Sequence, residues 1–332
     1  MAVLVDPPLW PAHGTLWSHL VSDSSLAELH IFAADAGLPA RSFDHDHYDV
    51  PASRHGELQD RGALAVDAGT LVRRLRASGL RRPERERIGE VSELRAAWAD
   101  LSRVSARTGS HTPTTAAATT AATATTTTTA DLDAWTAVGD DLVARWGEKG
   151  RLHHGRTHLR EVLDAVVLLA GDGATPDQTL RASLAAWFHD AVHSAGRRRD
   201  DPLPGDVSDE QASADLAHDA LSALVEAEVR DDVVRLVLLT ATHRPEPGDA
   251  VGALLCDADL AVLGAAPARY ADYAAAIRVE YAHVPTDVFR PARAAILEQL
   301  LDGELFHTPA GRRRWEDQAR ANLRAEIATL RS

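Results

Sequence analysis

The residues best able to do chemistry are imidazoles and carboxylates, and they recur at wide spacing in the second half of the chain. The stretch AAWFHDAVHSAG, Ala185–Gly196, sets His189 beside Asp190 at the end of an apolar, alanine-rich run. Upstream, RLHHGRTHLREVL holds His154 and His158 four apart, a spacing that puts both on one helix face. Downstream, LLTATH ends in His243, and LLCDADLAVLG carries Asp257 and Asp259 among apolar residues. Neighbouring helix residues point about 100° apart, so His189 and Asp190 share an ion only if it lies between their directions. A mixed nitrogen and oxygen donor set suits Mn²⁺, Fe²⁺, Zn²⁺, Co²⁺ or Ni²⁺ better than a thiolate-seeking ion, and Mg²⁺ belongs to the same expectation. Such an ion acidifies water and neutralises charge on a phosphate.

Each residue also has a plainer reading. His-Asp pairs cap helices, and a single histidine is more often a hydrogen-bonded core or surface group. Asp257 resists that treatment, because a buried carboxylate must be paired, capping or metal-bound. His193 and His218 have no partner in the pattern and read as solvated.

The elements that must hold these groups follow from periodicity. Thr112–Ala130 contains 11 Thr, 7 Ala and one Pro, with no charge and no large apolar side chain. It cannot bury enough surface to offset its ordering entropy, so residues 111–130 read as a flexible linker. Residues 1–110 then form one domain and residues 131–332 another. In the first, AVLVD, ARSFDHDHYDVP and GALAVD alternate with helical stretches such as SDSSLAELHIFAADAGL and GTLVRRLRASGL. That alternation predicts a small α/β domain with a parallel sheet. In the second, helical periodicity runs nearly throughout, with Leu159, Val162, Leu163, Val166 and Leu169 on one face. An all-α bundle is expected, with the apolar VVRLVLLTATH as its central helix and Ser208 and Gln211 spaced as a capping box.

Composition narrows the function classes. No apolar run reaches 18 residues and no basic, apolar leader opens the chain, so a soluble cytoplasmic protein without a membrane span is expected. One cysteine, Cys256, leaves no internal disulfide. Net charge is −14; residues 1–110 carry 13 basic and 15 acidic groups, so −12 falls on the remainder. An acidic body repels polyanions, which argues against non-specific nucleic-acid binding but not against a small phosphorylated substrate held through a metal.

His158, His189–Asp190 and an aspartate of CDADL resemble the H…HD…D signature of the HD superfamily of metal-dependent phosphohydrolases. HHGRTH, WFHDAVH, SDEQASA, TATH, DADLAVLG, YADYAAAIRVEY and ARANLRAEI are similar to the recurring features of one bacterial subgroup of undefined substrate. The resemblance spans Asp131–Ser332, and His153 stands where the subgroup has Tyr. It implies an HD-type helical fold and metal ligation by His158, His189, Asp190 and Asp259, with Asp257 as the rival. It makes Glu210 a candidate to position or deprotonate water, against a plain helix-dipole role. His243 is a candidate to hold a substrate phosphate or a second ion, and His154, Arg278 and Arg293 are candidates for substrate binding. The implied activity is phosphomonoester or phosphodiester hydrolysis by a metal-activated water, on a nucleotide or another small phosphorylated metabolite. The alternatives are a non-catalytic nucleotide- or metal-binding regulatory module and a di-iron oxygenase.

The first domain resembles a different, uncharacterised bacterial family, domain of unknown function 4031. VLVDPPLWP, HGTLWSHLVSD, LHIFAADAGLP, FDHDHYDVP and TLVRRLRASGL carry that resemblance over residues 2–81. No activity comes with it. Asp6, His13, His45, His47 and Asp49 fall near predicted strand ends, where open α/β sheets bind ligands. They are either a second metal or anion site or a hydrogen-bonded, turn-rich loop.

Overall fold

A computed structural model describes residues 2–108, 129–194 and 207–332. The expected linker lies outside these, apart from Thr129 and Ala130, which begin a helix. The N-terminal unit runs β1 (Val3–Val5), β2 (Trp10–Ala12), β3 (Thr15–Ser22), α1 (Leu26–Asp35), β4 (Phe43–Asp44), β5 (His47–Pro51), α2 (Ala52–Asp60), β6 (Leu64–Ala65) and α3 (Ala68–Ala77). The strands lie in the order β4-β5-β3-β1-β6, with β2 on β3.

The expected parallel sheet is corrected to a mixed one. Only β1 and β6 run parallel; the other pairs are antiparallel. Two tight reversals set two of the four antiparallel pairs. His13 and Gly14 take φ of 51° and 76° and fold β2 onto β3, while His45, at φ 61°, turns β4 into β5. Two-residue reversals with left-handed backbone join antiparallel neighbours and nothing else. Alternation along β1 serves both faces of the sheet. Val3 and Val5 pack with Leu29 of α1 and Leu58 of α2. Leu4, with Val21, meets Leu71 and Leu75 of α3 on the other face.

The helical unit comprises α4 (Glu84–Thr108), α5 (Thr129–Arg145), α6 (Arg156–Ala170), α7 (Pro176–Phe188), α8 (Asp209–Leu221), α9 (Ala227–Leu239), α10 (Ala250–Asp259), α11 (Pro267–Glu280), α12 (Thr286–Asp302) and α13 (Pro309–Arg331). Among the described residues after the Thr/Ala tract there is no strand. Helix α4 precedes that tract in sequence, yet it packs on α5 and α7 and adds Leu94 and Trp98 to their core. Trp98 and Trp135 stack with centroids 4.9 Å apart. Each indole N–H donates to the other residue's carbonyl, at 2.7 and 2.9 Å. The pair thus buries two indoles with neither N–H left unpaired.

The central helix is α7 rather than the expected α9. Eight of its residues are buried, and α4, α6, α8, α9 and α10 all pack against it. Ala182, Ala185 and Ala186 give it a thin profile that lets neighbours approach from every side. Helix α9 buries only one stripe, Val233, Leu236 and Val237, and leaves Leu238 exposed. At the start of α7, Thr175 and Gln178 form a full capping box. At the start of α8 only half of one forms: Ser208 accepts from Gln211 N, while the Gln211 side chain turns to Asp215.

The two units meet along α1 and α11, where Asp272 accepts the Ala27 N–H at 3.0 Å. Among the described residues, no single helix is long and apolar enough to cross a membrane. Replacing Trp98 by Ala removes a fully buried indole that stacks on Trp135, together with its N–H bond to the Trp135 carbonyl. Urea unfolding of Trp98→Ala is expected to report a loss of about 3–5 kcal/mol, and a loss below about 1 kcal/mol would contradict this packing.

Candidate metal centre

Four chain segments end at one place. Helix α6 starts after Gly155 and sets His158 in its first turn, buried. Helix α7 stops at His189, whose N–H still reaches Ala185 O at 2.9 Å, and Asp190 follows in the turn. Helix α10 ends on Asp259. Just beyond α9, His243 takes a left-handed φ of 52°. Asp259 is shared by three imidazoles. Its Oδ1 lies 3.1 Å from His158 Nε2 and 3.5 Å from His189 Nε2. Its Oδ2 lies 2.8 Å from His243 Nε2. Asp190 Oδ2 is 3.3 Å from His189 Nε2 and 3.9 Å from His158 Nε2.

The two imidazoles face each other, Nε2 to Nε2, at 3.3 Å. His189 Nδ1 lies 2.8 Å from the Ala186 carbonyl. A carbonyl only accepts, so Nδ1 carries a proton and Nε2 is the nitrogen that faces the cluster. That orientation, fixed by a backbone carbonyl, is the one a metal-ligating histidine takes. Trp146 walls the cluster, its ring 5.3 Å from His189 and 6.2 Å from His158.

Electrostatics make the same demand. Burial pushes His189 down, but Asp190 and Asp259 outweigh it and hold the imidazole well above its ordinary value. Burial pushes Asp259 up, and His189, with hydrogen bonds from His158, His189 and His243, brings it well below the usual carboxylate range. Asp190 is lowered by His189 in the same way, against burial. Two half-buried carboxylates thus draw positive charge into the space between them. One divalent ion on two imidazole nitrogens and two carboxylate oxygens meets that demand, and the donor set suits a first-row ion.

Of the two aspartates in CDADL, Asp259 joins the cluster and Asp257 does not. Residues two apart on a helix point about 200° apart. Asp257 therefore faces the start of α13, where it accepts His307 N at 2.6 Å, Thr308 N at 2.8 Å and Thr308 Oγ1 at 2.6 Å. Gly311 makes room for it, since a side chain there would overlap the carboxylate.

The arginines do structural work away from the cluster. Arg278 donates to Tyr281 O and Val284 O and lies over the Phe289 ring. Arg293 pairs with Glu326 and Tyr273. Both were substrate-binding candidates, and both are spent on closing helix ends and helix pairs. Glu210 stands half-buried in the first turn of α8 and makes no described contact with the ligands. Its neighbour Asp209 reaches further, accepting Ser194 N at 2.7 Å and Ser194 Oγ at 2.8 Å. His218 is exposed as expected. His193 is not solvated: it is buried, its ring 4.0 Å from that of His154.

Glu280, which the sequence pattern did not single out, organises the approach to the cluster. It is fully buried on α11. Its Oε1 accepts the N–H groups of Leu152, His153 and His154 at 2.6, 2.8 and 3.2 Å. Its Oε2 lies 2.6 Å from His154 Nδ1. Burial lowers His154, but Glu280 more than offsets this and raises it. Glu280 is lowered in return, against burial, by His154 and by the backbone donors. One signal was present in IRVEYA: an acid on an otherwise apolar helix face.

Residues 3–78 match the family described as a protein of unknown function, DUF4031. That match carries no activity, and it stops short of the helical unit. No curated protein and no solved structure matches the chain.

Two measurements follow from the geometry. Metal analysis of dialysed protein is expected to find one divalent ion fewer per chain in Asp190→Asn and His158→Gln than in the parent, and no change in Asp257→Asn. The His154–Glu280 pair predicts a pH window. His154, raised in the fold, contributes stability that is complete below its ordinary 6.5 and lost as pH climbs through the raised value. Glu280, lowered in the fold, contributes stability present above its ordinary 4.5 and lost as pH falls through the lowered value. Thermal unfolding of Glu280→Gln should therefore show its largest deficit between about pH 4.5 and 6.5, shrinking as pH rises through the raised His154 value. A deficit that grows with pH would contradict the pairing.

Proposed function

We propose that the helical unit is a metal-dependent phosphohydrolase, acting on the phosphomonoester or phosphodiester of a nucleotide or another small phosphorylated metabolite. The observation that carries this reading is the convergence of His158, His189, Asp190 and Asp259, with two Nε2 atoms 3.3 Å apart beside two half-buried carboxylates. The order of these residues along the chain is that of the HD superfamily, which the unit resembles. When bound there, a divalent ion lowers the pKa of water and offsets charge gathering on phosphoryl oxygens.

The rest is work for the chain's own side chains. His243 Nε2 holds the second oxygen of Asp259 and so fixes that carboxylate's orientation. His154, kept protonated by Glu280, has Nε2–H free to donate to an anionic oxygen of the substrate. Arg151 ties the two approaches together: Nη1 donates to Asp190 O at 2.6 Å and Nη2 to Ala191 O at 3.0 Å, and the same residue follows Glu148 into the loop that carries His154. Trp146 keeps bulk water from one side. Glu210 has no contact that supports a proton-transfer role, and His154 is the better-supported group for moving a proton.

The di-iron reading has one observation behind it, a second group of potential ligands formed by His154, His193 and Glu280. Both Glu280 oxygens are already committed to four N–H donors, so a single-ion hydrolase is the better account.

The test is a panel of phosphomonoesters, phosphodiesters and cyclic nucleotides assayed with Mn²⁺. Turnover of at least one is expected, with Asp190→Ala reducing it by at least ~100-fold. Turnover that survives Asp190→Ala would remove this site from the reaction. Tight nucleotide binding with no turnover would favour a regulatory module instead.

A further inference from the structure

We propose that the N-terminal sheet holds a second, independent metal centre, formed by His19, His47 and Asp49 and selective for one divalent first-row transition ion. Strand register brings the three together. In the antiparallel β3–β5 pair His19 lies directly opposite Asp49. His47 is two residues before Asp49 on β5 and so shares its face. His47 Nε2 is 3.5 Å from Asp49 Oδ1, and the two imidazole rings are 5.1 Å apart. One donor atom from each of the three residues lies within 4.8 Å of the other two.

The supporting residues distinguish this from an ordinary surface ion-pair cluster. His19 Nδ1 is 3.0 Å from Asp6 Oδ2, and His47 Nδ1 is 2.8 Å from Asp46 Oδ1. Both aspartates are buried, at 1% and 2% exposure. Each is held in turn: Asp6 also accepts the His19 N–H, and Asp46 accepts Arg82 N at 2.8 Å and faces Arg81. Both histidines therefore carry a proton on Nδ1, towards a fixed carboxylate, which leaves Nε2, turned in His47 towards Asp49, as the nitrogen an ion would take. A ring nitrogen locked by a buried carboxylate is the arrangement around metal-ligating histidines.

The face is open to solvent, with side-chain exposures of 28%, 17% and 40% for His19, His47 and Asp49. Three protein donors leave positions on the ion for water or a ligand, as in reactive rather than structural centres. Two imidazoles and one carboxylate favour Zn²⁺, Fe²⁺, Co²⁺ or Ni²⁺ over Mg²⁺ and Ca²⁺, which prefer oxygen. Trp10 stands at the edge, its ring 5.5 Å from His19 and its side chain largely exposed, available to a ligand with an apolar or aromatic surface. Of the residues grouped from sequence, Asp6, His47 and Asp49 belong here, while His13 and His45 occupy the hairpin turns. His19 was not among them.

This site stands apart from the helical centre, so its test can be separated from that of the proposed hydrolase. Full-length protein carrying Asp190→Ala and His158→Ala is titrated with Co²⁺, following the visible d–d absorption. One ion per chain is expected. Adding His47→Gln or His19→Gln should weaken binding by at least ~100-fold, and Asp6→Asn by about 10–100-fold. Circular dichroism checks that each variant folds. Should the variants fail to fold, anomalous scattering from Zn²⁺-grown crystals of the parent reads the same point and is expected to give a peak between His19, His47 and Asp49. Unchanged Co²⁺ binding in folded His19→Gln and His47→Gln, or no peak at that position, overturns the proposal.

Discussion

A carboxylate removed from water must be given positive charge or N–H donors, and this requirement shapes the helical unit more than any other. Asp259, Asp257 and Glu280 are three solutions to it within one small region. Asp257 receives two backbone amides and a hydroxyl at the head of α13. Glu280 receives three amides and an imidazole. Asp259 receives imidazoles alone, from three different segments. The first two solutions are complete within the chain and fix backbone. The third gathers nitrogens whose lone pairs coordinate cations, with Asp190 supplying further negative charge beside them. That difference separates structural carboxylates from a candidate ligand, although all three sit in apolar sequence.

The supporting architecture follows from where those groups must meet. Helix α7 is thin enough, through its alanines, to be packed on every side, and its end delivers His189 and Asp190 to the centre of the bundle. Large indoles fill what the alanines leave open. Trp98 packs edge-on against Trp187, and Trp146 donates its N–H to Trp187 O at 2.9 Å. The same Trp146 then walls the imidazoles. Packing and chemistry here share side chains, so mutations in that wall will report on both.

Much of this was legible in sequence because it depends on local pattern. Helix periodicity located the helical unit, and the wide order of His158, His189–Asp190, His243 and the CDADL aspartates marked the segments that do converge, with Asp257 and Asp259 left open by the pattern and Asp259 preferred through the resemblance. What escaped depends on pairing that sequence does not encode locally. The β4–β5 reversal turned on left-handed backbone at His45, a residue that does not advertise a turn as Gly would, whereas Gly14 did mark the β2–β3 hairpin. Arg278 and Arg293 looked available because their carbonyl, carboxylate and hydroxyl partners lie on neighbouring loops and helices. His193 looked solvated because its neighbour, His154, is far away in sequence. Helical pattern also overstated α9: an apolar run tells how much can be buried, not whether neighbours approach from one side or from all.

The packing of the two units bears on why they share a chain. Helix α1 of the N-terminal unit lies along α11, and α11 ends on Glu280, the residue that fixes the His154 loop. On the other flank, the Arg82 N–H is held by Asp46, which orients His47, while the Arg82 side chain reaches Thr157 Oγ1 at 3.3 Å, one residue from His158. One connection is the half-buried Asp272 carboxylate on a backbone amide; the other runs from the buried Asp46 through the Arg82 backbone and guanidinium to the Thr157 hydroxyl. A shift of the sheet relative to α6 and α11 would therefore disturb the supports of both His/carboxylate clusters together. Arg82 and Asp272 are thus the side chains through which the N-terminal unit touches the elements that carry His158 and Glu280.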